Sequence, residues 1–559
     1  MKLKKDIERF CITQDATIMD TMKVINDADE RACFMVDDQM RLLKVFTDGD
    51  IRRALIGGYK LDDFIKDIHQ HEPFVIKEGQ NIDEARHYLS KRITVVPVVN
   101  QQNQVKGLIR MHDVEPFLNI KSREILVLGM GYVGLTLAII LADEGFTVHG
   151  YDTNKDLIKN IKEKKMPFYE RGMEKYLSKH VSKNLNLLDS IEKVSADIYI
   201  ITVGTPIDKV TMKPNDSFIS QAAKAIGSIL KKNDLVILRS TVPVGLTRKT
   251  VLPILENESG LKVGDDFYLA YCPERTAEGK ALEELRKNPQ IVGGYDARSI
   301  ELASRLFNEN THTVIDVGSL EAAELCKLMD NTYRDTIFAY SNQMALLAEK
   351  LGLNLGHLID MVNIQYQRNL IPKPSPGVGG ACLSKDPYIL IKNFEEHNID
   401  GSFIKCARAI NEAAPKNIYA RSTSLMSTVQ KELQTSKIFI IGFAFKGEPE
   451  TSDLRESTTL WFLEELKWNN VKNIWGYDPI VQAQQIKALG IKACTIEEGF
   501  KGADAVFIMN NHKSYVNLGI FDLLETMNKP SLFYDGWQNF SPLDIKNIPG
   551  IIYSGIGIG

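Results

Sequence analysis

Residues 125–142 read ILVLGMGYVGLTLAIILA. A membrane helix needs about 20 apolar residues and does not favour glycines so close together as Gly129, Gly131 and Gly134. The run reads better as a buried strand, a turn and a buried helix. In that arrangement Gly129 allows the tight turn, Gly131 lets the backbone approach a pyrophosphate, and Gly134 permits close packing of helix on strand. The helix N-terminus, where Tyr132 and Val133 complete GMGYVG, favours the negative charge of that group. Asp152 follows 21 residues after Gly131, at the end of the next strand. A carboxylate there accepts hydrogen bonds from a ribose diol and repels a 2′-phosphate, so the reading is NAD rather than NADP.

Around this stretch, residues 121–315 alternate strand and helix: EILVLGMG, TVHGYD, ADIYIITVG, DLVILRS, FYLAYCPE. Such alternation predicts a parallel sheet covered by helices. Over 316–425 the strand signals fade, and SLEAAELCKLMDNTYRDTIFAYSNQMALLAEKLGL carries helical periodicity compatible with one long helix joining two domains. From 426 to 559 the alternation returns with KIFIIGFAF, NIWGYDP, ADAVFIMN and SLFYDGW. GYD stands at 150–152 and again at 476–478, each at a strand end, which suggests related architecture. Residues 1–120 hold a weak internal repeat with an offset of about 63: each copy predicts a helix, a strand-turn-strand (FMVDDQMRLLKVF, VVPVVNQQNQVKGLI) and an Asp-capped helix. One copy is too small to bury its own core, so the two are expected to pack together. The expected fold is therefore α/β, with two Rossmann-like parallel-sheet domains joined by a long central helix, preceded by an α+β module.

The chain has 559 residues and a net charge of −4, which argues against bulk binding to nucleic acid or a membrane surface. Seven cysteines without a Cys-x-x-Cys pair give neither a disulfide framework nor a zinc site, and a reducing, cytoplasmic setting fits. MKLKKDIERF lacks an apolar signal core.

Three polar loops follow apolar strands: Val203-Gly-Thr205-Pro206, Ser240-Thr241-Val-Pro-Val-Gly245 and Cys272-Pro-Glu274-Arg275. Ligands of open parallel sheets bind outside the strands' carboxyl ends, so the loops are expected around one crevice. Helix capping would equally account for Thr205 or Thr241. Lys327 and Asn331 stand four apart in ELCKLMDN, so a helix puts both on one face, able to hold a developing oxyanion. Residues 376–387, PGVGGACLSKDP, place Cys382 after a glycine-rich turn and before Lys385-Asp386. Its surroundings decide whether it is a reactive thiolate or an inert buried thiol.

GMGYVG, VGTP, STVPVG, CPER, the Lys-xxx-Asn pair, PGVGGACLSKDP and FAFK…DLRES occur in the order seen in the UDP-glucose/GDP-mannose dehydrogenase family, and the chain resembles that family over about residues 121–559. Residues 1–120 resemble a pair of CBS modules, TDGDIRR being the best-matching piece. The family resemblance implies NAD-dependent, four-electron oxidation of the C6 alcohol of a UDP-sugar to a uronate. Cys382 matches the nucleophile that forms a thiohemiacetal and then a thioester. Asp386 matches an aspartate that holds the reacting water. Lys327 and Asn331 would steady oxyanions, Thr241 would position water or a substrate hydroxyl, and Glu274 would assist hydrolysis. By the same matching Asp152, Thr205, Thr241, Glu278 and Arg455 should contact NAD, with Lys155 nearby. Glu274, Arg275, Lys327, Asn331, Gly379, Phe445 and Lys446 should contact the sugar nucleotide. Arg368 would meet its phosphate, a role open to a neighbouring subunit's copy. Dimerisation through the long helix is implied, and no metal is.

Some positions depart from the pattern. Leu157 replaces a basic residue five positions after Asp152, and Trp537 stands where many members carry Arg. GEPETSDL, between Lys446 and Arg455, is longer than in many members. CPER and PSPGVGGACLSKDP look like members acting on UDP-N-acetylhexosamines (UDP-N-acetylmannosamine or UDP-N-acetylglucosamine), whereas TAEG after CPER is closer to the UDP-glucose type. A two-electron dehydrogenase would not require Cys382 or the second α/β domain, and an NAD-binding sensor without chemistry would not require Lys327, Asn331 or Cys382. In the front module Thr47 and Asp50 of VFTDGD, with Arg110 and Asp113 of RMHD, fit a CBS-type adenine-nucleotide site. A packing role is the alternative. Only Lys121 and Ser122 separate this module from the first dinucleotide strand.

Overall fold

The computed structural model describes residues 7–27, 32–69, 72–78, 80, 88–89, 93–110, 120–192 and 194–559. The chain forms two compact units, Met1–Ile120 and Lys121–Gly559.

In the first unit β1 (Cys11–Ile12), β2 (Ala32–Val36) and β3 (Leu42–Thr47) make one sheet, flanked in sequence by helices α1 (Ile18–Asp27) and α2 (Asp48–Ile56). A second sheet is built of β4 (Ile76–Lys77), β5 (Val95–Val99) and β6 (Val105–Arg110). The hairpins match residue for residue at the expected offset: Ala32 pairs Thr47 and Val95 pairs Arg110, and each ladder has a register shift before Val36 or Val99. Phe34, Val36 and Leu42 share one core with Val95, Val99 and Val105. Leu42 N donates to Asn103 O at 2.9 Å, and Val105 N to Met40 O at 2.9 Å, so each copy completes the other. The cap of α2 differs from the Asp expected. Thr47 caps it in a reciprocal box, its hydroxyl donating to Asp50 Oδ2 at 2.6 Å and its N–H to the same oxygen at 2.8 Å. Arg110 ends β6, and Asp113 lies outside the described residues.

The second unit carries two sheets. The first consists of β7 (Ile125–Leu128), β8 (Val148–Tyr151), β9 (Leu185–Leu188), β10 (Ile198–Ile201), β11 (Leu235–Leu238), β12 (Tyr268–Tyr271), β13 (Gln290–Gly294) and β14 (Val314–Ser319). Its order is β14-β13-β12-β11-β10-β7-β8-β9. The pairs are parallel except β12 with β13, where the chain returns antiparallel after the CPER loop, a reversal the alternating pattern does not announce. Strands β7, β10 and β11 are buried at every residue, as sheets covered on both faces require. Helix α3 (Tyr132–Asp143) is buried along its length from Gly134 to Ala142, which explains the apolar run around GMGYVG.

The second sheet consists of β15 (Ile438–Ile441), β16 (Ile474–Tyr477), β17 (Lys492–Ala493), β18 (Ala505–Ile508), β19 (Ser531–Asp535) and β20 (Ile551–Ser554), in the order β17-β16-β15-β18-β19-β20. The first six strands of the other sheet follow the same winding, and both reverse direction beside the first strand. The two GYD segments serve one purpose. Asp152 accepts Met130 N at 2.8 Å and Asp478 accepts Phe443 N at 2.6 Å, just after Gly129 (φ 97°) and Gly442 (φ 94°).

Helix α4 (Leu320–Lys350), 31 residues long and capped by Ser319, links the halves. Its buried face carries Glu324, Lys327, Asn331, Asp335 and Asn342, while Met329, Tyr333, Tyr340 and Leu347 are exposed. Against it pack α5 (Asp386–Glu396) and α6 (Ser402–Ser427). Among the described residues no helix is long and apolar enough to cross a membrane.

Candidate active site

The glycine turn has the geometry its residues predict. Gly129 takes φ 97°, open to glycine and strained for other residues, and a Cβ there would lie 3.0 Å from the Val203 backbone. A Cβ on Gly134 would overlap Gly129 O. Gly131, the N-cap of α3, has open space in front of it, which is what a phosphate group at a helix N-terminus requires. Tyr132 donates its hydroxyl to Glu170 at 2.6 Å, and Val133 is half-buried beside it. Asp152 keeps Oδ1 on Asn154 N and Oδ2 on Met130 N, and so braces the turn as well as facing its edge. Thr205 is buried, with no hydrogen-bond partner for its hydroxyl. An open helix N-terminus, a carboxylate at the neighbouring strand end and an orphaned hydroxyl on the next loop fit a dinucleotide. Lys155 is exposed, and Thr241 is half-buried on its loop.

Next to this groove lies a cleft of about 450 Å³ walled by Lys327, Asn331, Gly379, Cys382, Phe445 and Lys446, with Arg275 and Glu278 at its edge. Lys327 is 9% exposed and Asn331 6%, both on the inner face of α4. Asn331 Nδ2 donates to Asp386 Oδ2 at 2.5 Å, and Lys385 Nζ reaches Asp386 Oδ1 at 2.6 Å. Asp386 N donates to Cys382 O at 2.9 Å, closing the turn that carries the thiol. A Cβ on Gly379 would overlap Glu456 O, and one on Gly380 (φ 87°) would press into the Phe445 ring, so positions 379 and 380 require glycine.

Cys382 is solvent-accessible. Desolvation by the surrounding protein pushes its thiol up, Asp386 adds to this, and Lys327 and Lys385 pull the other way. Burial opposes the charge of Lys385, but Asp386 and Cys382 outweigh it and hold the ammonium above the usual lysine range. Glu278 is pushed up to about 7 by burial and by Asp453, against Arg455 and Lys446. Its carbonyl accepts Lys446 Nζ at 2.8 Å. Arg455 pairs with Asp453 at 2.6 Å and Glu278 at 3.4 Å, and Arg275 pairs with Asp330 at 2.7 Å.

Asp386, 0% exposed, lies behind Asn331 and Lys385 and does not line the cleft, and three further expected residues do not line it either. Glu274 is held by the buried Arg239 at 2.6 Å and accepts the N–H groups of Arg275 (2.7 Å) and Thr276 (2.8 Å). Burial alone would raise its carboxyl, yet Arg239 and the backbone donors hold it below the usual range. It braces the CPER loop from behind and is not on the cleft wall. Thr241 is also off the wall, as is the exposed Arg368. Tyr333 and Arg334 do line the cleft without having been singled out. Arg334 stands seven residues after Lys327, two helical turns, which is the signal that could have found it. Trp537 donates Nε1 to Met509 O at 3.1 Å on the second sheet.

Comparison with known proteins shows which family the chain belongs to. The profile of the UDP-glucose/GDP-mannose dehydrogenase family's NAD binding domain matches residues 123–311, that of its central domain 321–413, and that of its UDP binding domain 439–542. A CBS domain profile matches 65–117. The UDP-N-acetyl-D-mannosamine dehydrogenase of Pyrococcus horikoshii is 34% identical over 440 residues, covering 78% of this chain and 99% of that protein. An NDP-N-acetyl-D-galactosaminuronic acid dehydrogenase of Ralstonia solanacearum is 30% identical, over 72% and 93%. Among solved structures, the P. horikoshii UDP-D-ManNAc dehydrogenase superposes with a TM-score of 0.71 at 33% identity, covering 78% of this chain and 99% of that one. The Staphylococcus aureus UDP-N-acetyl-mannosamine dehydrogenase Cap5O gives 0.66 at 28%, over 78% and 98%. With three consecutive profiles covering its NAD groove, its long helix and its second sheet, the chain belongs to the UDP-glucose/GDP-mannose dehydrogenase family of NAD-dependent nucleotide-sugar dehydrogenases.

Proposed function

We propose that this enzyme oxidises the C6 alcohol of a UDP-N-acetylhexosamine, with UDP-N-acetylmannosamine favoured, to the uronate through a thioester on Cys382. The observation that carries the reading is the accessible Cys382 thiol in one cleft with Lys327 and Asn331. The names of the relatives support the N-acetylmannosamine choice. Residues from Gly131 to Arg455 would hold two NAD in succession, one for each oxidation, and each would supply the acceptor for one hydride, the first of which leaves C6 of the alcohol to give the aldehyde. Lys327 and Asn331 hold the C6 oxygen as its charge develops. Cys382 Sγ adds to the C6 aldehyde. The adduct loses a hydride to give the thioester, and water then releases the carboxylate and the free thiol. Asp386 holds that water, and its bonds to Asn331 and Lys385 keep it oriented. Glu274, tied to Arg239, supports the CPER loop in this scheme and does not itself activate water.

The scheme further includes a homodimer formed through the exposed apolar face of α4, by which a neighbour's Arg368 could reach the substrate diphosphate. The catalytic part divides at about 121–315, 316–425 and 426–559. In the front unit the capping box favours a packing role for Thr47 and Asp50 over adenosine binding. Calorimetry of the full chain with AMP and ATP tests that assignment.

The deciding experiment is an anaerobic assay of a UDP-sugar panel with NAD, counting NADH per sugar consumed. Two NADH per UDP-N-acetylhexosamine supports the reading. One NADH per sugar, or turnover of UDP-glucose alone, overturns it.

A further inference from the structure

The segment carrying Cys382 is tied at both ends to a buried polar network. Arg408, on α6, is 0% exposed. Its Nη2 donates to Val378 O at 2.8 Å and its Nη1 to Leu383 O at 2.9 Å, so one guanidinium spans the loop that holds Cys382. Nη1 also meets Asp335 Oδ1 at 2.6 Å, and Nε reaches Glu412 at 3.1 Å. Asp335 lies on α4, two turns beyond Lys327 and one beyond Asn331. Asn411 Nδ2 donates to the carbonyl (2.9 Å) and carboxylate (2.8 Å) of Asp335, and Asn411 Oδ1 accepts Asn342 Nδ2 at 2.9 Å. Asn342 Oδ1 in turn accepts Ser375 N at 2.8 Å, at the start of the same segment.

We infer that Arg408 is a positioning residue, which sets the Cys382 loop in register with the Lys327 and Asn331 face of α4. A buried ion pair seldom adds net stability over apolar packing of the same volume, so its geometry is the better account of its presence. The planar fork of arginine holds two carbonyls and two carboxylates at fixed angles, which a lysine ammonium does not. The inference rests on the proposed role of Cys382 as nucleophile. Misplacing that sulfur should leave the first oxidation, which makes no bond to it, largely intact, and should slow the second, which requires it.

The test is a rapid-mixing single turnover with enzyme in excess over UDP-sugar, following NADH. Arg408→Lys is expected to form the first NADH within about threefold of the parent rate and to slow the second by about 100-fold, the scale of loss that a displacement of about 1 Å brings. NAD affinity should stay within about twofold. Both phases within threefold of the parent, or both slowed together with weakened NAD binding, overturn the inference. Cys382→Ser in the same assay separates the two ideas: if it forms both NADH equivalents, the nucleophile reading fails whatever Arg408 does. Should Arg408→Lys not fold, Asn342→Ser loosens the Ser375 end without stranding a charge. It is read by the same criteria, with unequal slowing of the second phase in support and equal or absent slowing against.

Discussion

Asn331 and Asp386 meet at 2.5 Å, an amide donating to a fully buried carboxylate across 55 residues of chain. This bond joins the long helix to the first turn of α5 and fixes the distance between the oxyanion-binding face and the cysteine turn. In the proposed reaction the cleft is therefore assembled before substrate arrives, the condition under which fixed donors are most effective.

Cys382→Ser should abolish steady-state uronate formation while NAD affinity stays unchanged. Steady-state NADH production and equilibrium NAD binding, measured on the same preparation, check this. Uronate production at more than about a tenth of the parent rate would remove the covalent scheme, because a serine hydroxyl is a far poorer nucleophile near neutral pH.

The rate should climb with alkalinity. Desolvation by the surrounding protein, and then Asp386, push the Cys382 thiol up, so at neutral pH only a small fraction is thiolate. A plot of log kcat/KM should rise from pH 7 to 9 with a slope approaching about +1. A flat profile over that range would show that thiol ionisation does not limit the reaction.

Asp152→Asn should lower kcat/KM for NAD by about tenfold, roughly the loss of one charge-assisted hydrogen bond. NADP should gain relative to NAD, because the repulsion of a 2′-phosphate is removed. The parent enzyme using both cofactors equally well would refute the assignment.

Gly134→Ala should weaken NAD binding by at least about tenfold, a loss near 1.4 kcal/mol. The added methyl would collide with Gly129 O, and Thr202 Oγ1 would lie 2.5 Å away, so the turn must open. Quenching of the protein's tryptophan fluorescence by added NAD measures it, and unchanged affinity would mean that the turn does not hold the cofactor.

Glu324 gives a stability prediction. It is fully buried, accepts Thr247 N at 2.9 Å, and is pushed up to about 7, by burial first. A carboxyl raised on folding contributes stability that is fully present below its unfolded value, about 4.3, and lost as pH rises through about 7. Between pH 5 and pH 8 the melting temperature should therefore fall more in the parent than in Glu324→Gln, whatever constant offset the substitution brings. Equal falls would count against it.

Much of this protein is legible in local pattern. The glycine turn with its strand and helix, the long helix, the recurring GYD and the repeat offset of 63 in the front unit depend on spacing within one or two neighbouring elements, and backbone geometry converts spacing directly into shape. The positions of Lys327 and Asn331 on one face followed from helical period alone. What the tertiary structure decided is who meets whom across the chain. Glu274 looked available for chemistry, but β11 lies beside β12, and that neighbour brings Arg239 onto its carboxylate from 35 residues away. The antiparallel return at β13, Arg334 on the cleft wall and the hold of Arg408 on both sides of Cys382 are of the same kind. Each depends on which buried surfaces pack together. That choice is a sum of many small contacts between residues far apart in sequence, so no local spacing records it.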